Sequence, residues 1–77
     1  MKKKLSEFMP GEKGCVVSVS AEGKIRRRLF DMGVTPGARI EMIKTAPLGD
    51  PIEVAVRGYE LSLRKSEAET VLLESSK

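Results

Sequence analysis

The residue types that usually carry enzyme chemistry are scarce in this sequence of 77 residues. It contains no histidine, so the commonest general base and transition-metal ligand are missing, and Ser-His-Asp and Cys-His triads are excluded. A structural zinc site needs about four cysteine or histidine ligands, whereas the chain offers only Cys15. No GxxxxGKS/T stretch is present, so these residues contain no P-loop. We therefore expect a binding protein without catalytic residues, not an enzyme.

A dense group of charges, K-I-R-R-R, begins at Lys24. On a helical projection Arg27 points away from the apolar side, Arg26 lies beside that side and Arg28 lies at its edge. The candidates for contacting an acidic surface, a phosphate or nucleic acid are Lys24, Arg26, Arg27 and Arg28. The same residues also fit a solvated helix face on which Asp31 pairs with Arg27 or Arg28.

The segment T-A-P-L-G-D-P, residues 45–51, joins two predicted strands that a shorter loop could connect. Its two prolines restrict the backbone and so lower the entropy that the loop loses when it binds a partner. Leu48 lies at the tip, where it either contacts another protein or folds back over the end of the core. Asp50 is expected to accept N–H bonds within its own turn. The candidate partner-binding residues of this loop are Pro47, Leu48 and Asp50.

An amphipathic helix of about three turns is predicted over residues 22–32, between these strands and an earlier one. Ile25, Leu29 and Met32 have the i, i+4, i+7 spacing of an apolar stripe. Gly33 is expected to end the helix in the left-handed conformation, and Ser20 is the candidate cap at its start.

Alternation of apolar and polar residues predicts strands before and after the helix. In the first strand, Cys15, Val17 and Val19 are expected to face the core. Val16 interrupts the alternation, which leaves open a strand that is covered on both faces. In the later strands the residues expected to face inward are Ile40, Met42, Ile52, Val54, Val56, Tyr59, Leu61 and Leu63.

The C-terminal segment predicts a short helical turn and a last strand. Ser66 and Glu69 match a capping box, which predicts the helical turn. The apolar run Val71–Leu73 predicts the strand, and residues 75–77 form a polar tail. Five short strands and one inserted helix thus predict a mainly β fold, either a small antiparallel barrel or a strongly twisted sheet. A barrel is favoured because closure removes unpaired edges. We expect residues 1–77 to form a single domain.

The chain shows the pattern of a cytoplasmic protein. No apolar run approaches the ~20 residues that cross a bilayer. Glu7 and Pro10 interrupt the segment that follows the basic start, which is unlike a signal peptide. One cysteine cannot form an internal disulfide.

Several segments resemble the FeoA family, the small cytosolic component of bacterial and archaeal ferrous iron transport. They are R-R-L-F-D-M-G-V-T-P-G at 27–37, A-P-L-G-D-P-I at 46–52, L-S-L-R-K-S-E-A at 61–68 and L-S-E-F-M-P-G-E-K-G at 5–14. The resemblance implies an SH3-like barrel with a helical insertion. It also implies a partner, the membrane transporter FeoB, whose cytosolic part binds and hydrolyses GTP. Binding of ferrous or another transition-metal ion is implied by the resemblance only, with no ligand residues assigned.

Our leading hypothesis is therefore an accessory or regulatory protein of ferrous iron uptake. It would dock on the cytosolic GTPase region of a FeoB-type transporter, and so lie at the inner face of the cell membrane through that partner. Leu48 would be the apolar anchor, while Lys24, Arg26 and Arg27 would steer the protein toward an acidic surface.

Two alternatives remain open. The first is a small basic barrel that binds nucleic acid through Arg26–Arg28 and Lys2–Lys4. We do not expect it, because few aromatic side chains are available for stacking and Tyr59 is expected to pack inward. The second is a transition-metal-binding regulatory domain, in which ferrous iron would affect Asp31, Asp50 or Glu41.

Overall fold

The computed structural model describes residues 1–76, so Lys77 of the predicted polar tail lies outside the described residues. Within residues 1–76, no helix has the length and hydropathy of a membrane-crossing segment. The elements in chain order are β1 (Lys2–Lys4), a 3-10 helix (Leu5–Glu7), β2 (Lys13–Val19), α1 (Gly23–Asp31), β3 (Arg39–Thr45), β4 (Ile52–Val56), β5 (Tyr59–Leu63), α2 (Lys65–Ala68) and β6 (Val71–Ser75).

The strands form one antiparallel sheet in the order β1-β6-β2-β3-β4-β5. The 3-10 helix follows the edge strand β1 and contacts α2, which follows the other edge strand β5. These two short helices therefore bridge the two edges. The predicted mainly β fold with a helix inserted after the first long strand is confirmed, with six strands in place of five.

The additional strand is β1, which sequence patterning does not reveal. It consists of three consecutive lysines without apolar alternation, and it is a strand because it pairs with β6, Lys3 opposite Leu73 and Lys4 opposite Leu72. Lysines on an edge strand also discourage pairing with other chains.

Strands β3 and β4, and the end of β5, have their inward residues where the alternation predicts them. Because side chains of a strand alternate between its two faces, every second residue enters the core. The fully buried residues of these three strands are Ile40, Met42, Ile52, Val54, Val56 and Leu63.

The prediction for β2 holds for Val19 but is wrong for Val17. A β-bulge between Val16 and Ser18 shifts the pairing with β6, and the extra residue moves the side chains that follow it to the other face. Before the bulge Val16 is buried and Cys15 is half-buried. Val17 lies at the bulge and is exposed, and after it Val19 is buried in place of Ser18.

Helix α1 packs on the core mainly through Leu29, which has no exposed surface. Met32 is partly buried, whereas Ile25 is 45% exposed and so contributes less to the core than predicted. Gly33 ends the helix with φ of +94°, as predicted. The N-cap of α1 is Glu22, so the predicted cap Ser20 is wrong. The Ser20 hydroxyl instead donates a hydrogen bond to the Thr70 carbonyl at 3.3 Å.

The prediction that Tyr59 packs inward is wrong, because this side chain is 73% exposed. Arg57 and Gly58 connect β4 to β5 with φ of +53° and +85°, the two positive values of a type I′ hairpin turn. Tyr59 directly follows this turn on β5, an edge strand of the sheet, opposite the buried Val56 of β4. Leu61 is partly buried and Leu63 fully buried as the strand approaches the core.

The N-terminal segment is fixed to the sheet by one buried carboxylate, that of Glu12. It accepts hydrogen bonds from the Met9 N–H at 3.0 Å and the Ser75 hydroxyl at 2.9 Å, and it pairs with the Lys3 ammonium at 2.7 Å. The bond from Lys3, followed by that from Met9, lowers the pKa of Glu12 to about 2. Lys3 also lies over the Phe8 ring, 5.1 Å from its centroid.

Candidate docking site

The loop between β3 and β4 is held in a compact turn by backbone hydrogen bonds. The Gly49 N–H donates to the Ala46 carbonyl at 2.7 Å, and the Ala46 N–H donates to the Pro51 carbonyl at 3.1 Å. Pro47 restricts the second position of the turn, and Gly49 supplies a φ of +84° at the fourth. The loop backbone is thus fixed without any contribution from the side chain at its tip.

Leu48 is that tip side chain, and it is 94% exposed. The alternative in which Leu48 folds back over the core is therefore wrong. An exposed leucine gains nothing from burial, while its fixed backbone lowers the entropy lost on contact with another molecule. Its role in partner binding stays a prediction, but its position meets the geometric requirement for one.

Asp50 ties this loop to α2. Its Oδ1 accepts a hydrogen bond from the Lys65 N–H at 3.0 Å, so the expectation that Asp50 bonds within its own turn is wrong. The first N–H groups of a helix have no partner within the helix, and Lys65 is the first residue of α2. Asp50 satisfies one of these groups and fixes the loop beside the start of α2.

Glu67 on α2 takes the capping role that the sequence pattern assigns to Glu69, so the predicted Ser66–Glu69 box is wrong. Its Oε1 accepts from the Arg64 N–H at 3.0 Å, which gives the return bond of a capping box two residues before the predicted Ser66–Glu69 pair. Its Oε2 pairs with Arg28 Nη1 at 3.3 Å. The nearly buried Glu67 carboxylate therefore joins α2 to α1.

Two arginines of the predicted basic group on α1 already have partners within the protein. Arg26 donates to the Val19 carbonyl at 3.1 Å and lies over the Phe30 ring, 4.6 Å from its centroid. Arg28 pairs with Glu67. Among residues 1–76, Asp31 forms no ion pair, so the predicted pairing with Arg27 or Arg28 is wrong.

The contacts of α2 connect the Leu48 loop with Arg28 of α1. Asp50 joins the loop to the start of α2, and Glu67 of α2 pairs with Arg28. Arg26 and Arg27 instead line a separate depression. We name the region formed by the loop, α2 and the Arg28 side of α1 the α2 surface. No sequence pattern indicates it, because both connections join residues far apart in the chain.

The residues proposed to respond to a metal ion do not form a site. Within the described part of the chain, no three cysteine or carboxylate side chains are close enough to hold a metal ion together. Asp31 ends α1, Glu41 lies in the middle of β3, and Asp50 is used by the Lys65 N–H. The donor set of residues 1–76 therefore does not fit a bound transition metal.

Comparison with known proteins identifies the family of this chain. The family profile of the FeoA domain matches residues 3–75. The chain belongs to the FeoA domain family. The predicted resemblance is thereby confirmed, and it links the chain to a family of ferrous iron transport.

One relative is the Fe(2+) transport protein A/Fe(2+) transporter FeoB fusion protein of Porphyromonas gingivalis. It is 34% identical over 71 residues, which are 92% of this chain and 8% of the fusion protein. The chain thus spans less than a tenth of that relative, in which a FeoA domain and a FeoB transporter share one polypeptide.

Two solved FeoA structures have the same fold. The solution structure of Chlorobium tepidum FeoA is 44% identical, with a TM-score of 0.91 over 97% of this chain and 71% of that one. Stenotrophomonas maltophilia FeoA, a procaryotic SH3 domain protein crystallised with zinc, is 33% identical, with a TM-score of 0.82 over 94% and 89% of the two chains. The predicted SH3-like barrel is confirmed by these two structures.

Proposed function

We propose that this FeoA domain docks on the cytosolic GTPase region of a FeoB-type transporter and supports ferrous iron uptake from the inner face of the membrane. The fusion of the two proteins in Porphyromonas gingivalis supports the association, since domains joined in one chain are held close together. The observation that carries the docking mode is the 94% exposure of Leu48 on a fixed loop.

Docking would begin with Leu48 as an apolar anchor. A side chain that leaves water on binding contributes about 2 kcal/mol when it is fully buried. The turn around it is already ordered by the Gly49 and Ala46 hydrogen bonds, so little of this gain is lost to ordering the loop. Pro47 and Asp50 act through the loop, one by restricting its backbone and the other by fixing it to α2.

The cations of α1 would steer the approach. Lys24 and Arg27 are exposed and form no ion pair within residues 1–76, so they present their full charge to an acidic partner. Arg26 and Arg28 also add positive potential, although they already bind Val19 and Glu67. Such charges mainly raise the association rate and make it dependent on salt.

The experiment that tests this function is a binding titration against the purified cytosolic region of the transporter. We expect Leu48→Asp to weaken binding at least roughly tenfold, because the anchor would carry a charge into an apolar contact. The matched control is Met9→Asp, which makes the same change at an exposed methionine on a different loop. Equal affinity of the two variants would remove Leu48 from the mechanism, and no binding by the wild type would contradict the function.

A further inference from the structure

A shallow cleft runs between α1 and α2. It is lined by Lys24, Ile25, Arg28, Arg64, Ser66 and Glu67. Three of these residues, Ile25, Arg64 and Ser66, have no part in the docking contacts described above.

The cleft carries an excess of positive charge. Three of its lining side chains are cationic and only Glu67 is anionic. Both carboxylate oxygens of Glu67 are already occupied, one by the Arg64 N–H and the other by Arg28. Lys24 and Arg64 are exposed and have no carboxylate partner within residues 1–76. They are therefore available for negative charges of a ligand.

The cleft also contains an apolar group that the fold leaves uncovered. Ile25 lies on the core-facing stripe of α1, yet it is 45% exposed. A phosphate or a free anion would satisfy the cations but would leave Ile25 in water. None of the lining residues is aromatic, so the cleft has no platform on which a nucleic-acid base could stack.

We propose that the cleft binds an acidic segment of the partner protein that carries an apolar side chain. The partner's carboxylates pair with Lys24 and Arg64, and its apolar side chain covers Ile25. Leu48 contacts the same partner, because Asp50 holds the loop at the start of α2. This inference rests on the proposed function and adds the chemistry of the segment that FeoA recognises.

The first test compares two double variants that each remove two positive charges. Lys24→Gln with Arg64→Gln alters the cleft, while Lys2→Gln with Lys4→Gln alters the exposed side chains of β1. Against the transporter's cytosolic region, we expect the cleft variant to bind roughly tenfold more weakly and the control within about twofold of the wild type. Equal binding by the two double variants would overturn the cleft assignment and leave the docking function intact.

The second test does not use the transporter. Isotopically labelled wild-type protein is titrated with a synthetic peptide of aspartate and glutamate around a leucine, and with a peptide in which lysines replace the acids. We expect the acidic peptide alone to shift the amide signals of Ile25 and Ser66, and the Lys24→Gln, Arg64→Gln variant to lose the shift. Shifts elsewhere, or equal shifts with single-stranded DNA, would overturn the assignment. Binding of the acidic peptide without binding to the transporter would contradict the docking function alone.

Discussion

Leu29 and Leu48 are the same side chain in opposite situations. Leu29 is completely buried between α1 and the barrel, whereas Leu48 is 94% exposed at a loop tip. Helix α1 is held on the sheet by its leucine, but the Leu48 loop is held by backbone hydrogen bonds and by Asp50. The loop therefore keeps its shape independently of Leu48, which leaves this side chain available for a partner.

The largest expected effect is that of Leu29→Ala, which should lower the free energy of unfolding by about 2–5 kcal/mol, because it removes buried contacts and leaves a cavity. Urea denaturation measures the change. The matched variant Leu48→Ala should stay within ~0.5 kcal/mol of the wild type. Similar losses in the two variants would break the comparison between the two leucines.

The second attachment of α1 is its ion pair with Glu67. Glu67→Ala should cost about 1–3 kcal/mol, since it leaves the Arg64 N–H and Arg28 without their partner at a nearly buried position. Glu69→Ala, a change at an exposed glutamate two residues away, is the control and should have little effect on the denaturation midpoint. If both variants unfold alike, Glu67 does not join α2 to α1.

The contacts of Glu12 with Lys3 and Ser75 predict how acid affects the side of the sheet formed by β1 and β6. The pKa of Glu12 in the folded protein is about 2, below its ordinary value of 4.5. The ionised Glu12 therefore contributes its full stabilisation above pH 4.5, and this contribution is lost as the pH falls toward 2. We expect wild-type stability to decrease through this range and Glu12→Gln to show a shallower decrease, as followed by denaturation at successive pH values. Parallel curves for the two proteins would show that Glu12 is not the group that titrates.

The smallest expected effect tests whether the turn at Gly49 orders the Leu48 loop. Gly49→Ala places a side chain at a φ of +84° with no steric contact within 4 Å, so only the backbone conformation is penalised, by about 1 kcal/mol. Gly49→Asn should recover part of this loss, because asparagine tolerates the left-handed region. Thermal unfolding of the two variants measures the difference. Equal stability of Gly49→Ala and the wild type would mean that the turn is not the element that orders the loop.

Local patterns predict the parts of this fold that depend on neighbours in sequence. The inward residues of β3 and β4 and the end of α1 at Gly33 follow from periodicity and from backbone preference. The bulge in β2 and the strand Lys2–Lys4 do not, because both depend on pairing with β6.

The candidate site divides in the same way. The composition of the loop indicates Leu48 as a tip residue, but the choice between exposed and folded back needs the structure. The bonds from Lys65 to Asp50 and from Arg28 to Glu67 each join separate elements. Because only tertiary packing assembles the α2 surface, the sequence indicates the Leu48 loop and Arg28 but not the contacts through α2 that connect them.

The most direct test of the central claim is site-specific photocrosslinking in the presence of the transporter's cytosolic region. A photoreactive leucine analogue is placed at position 48 in one protein and at position 9, another exposed apolar position, in a second. We predict a covalent product with the transporter region from position 48 and none from position 9. Equal products from both positions, or a product from position 9 alone, would contradict docking through the Leu48 loop.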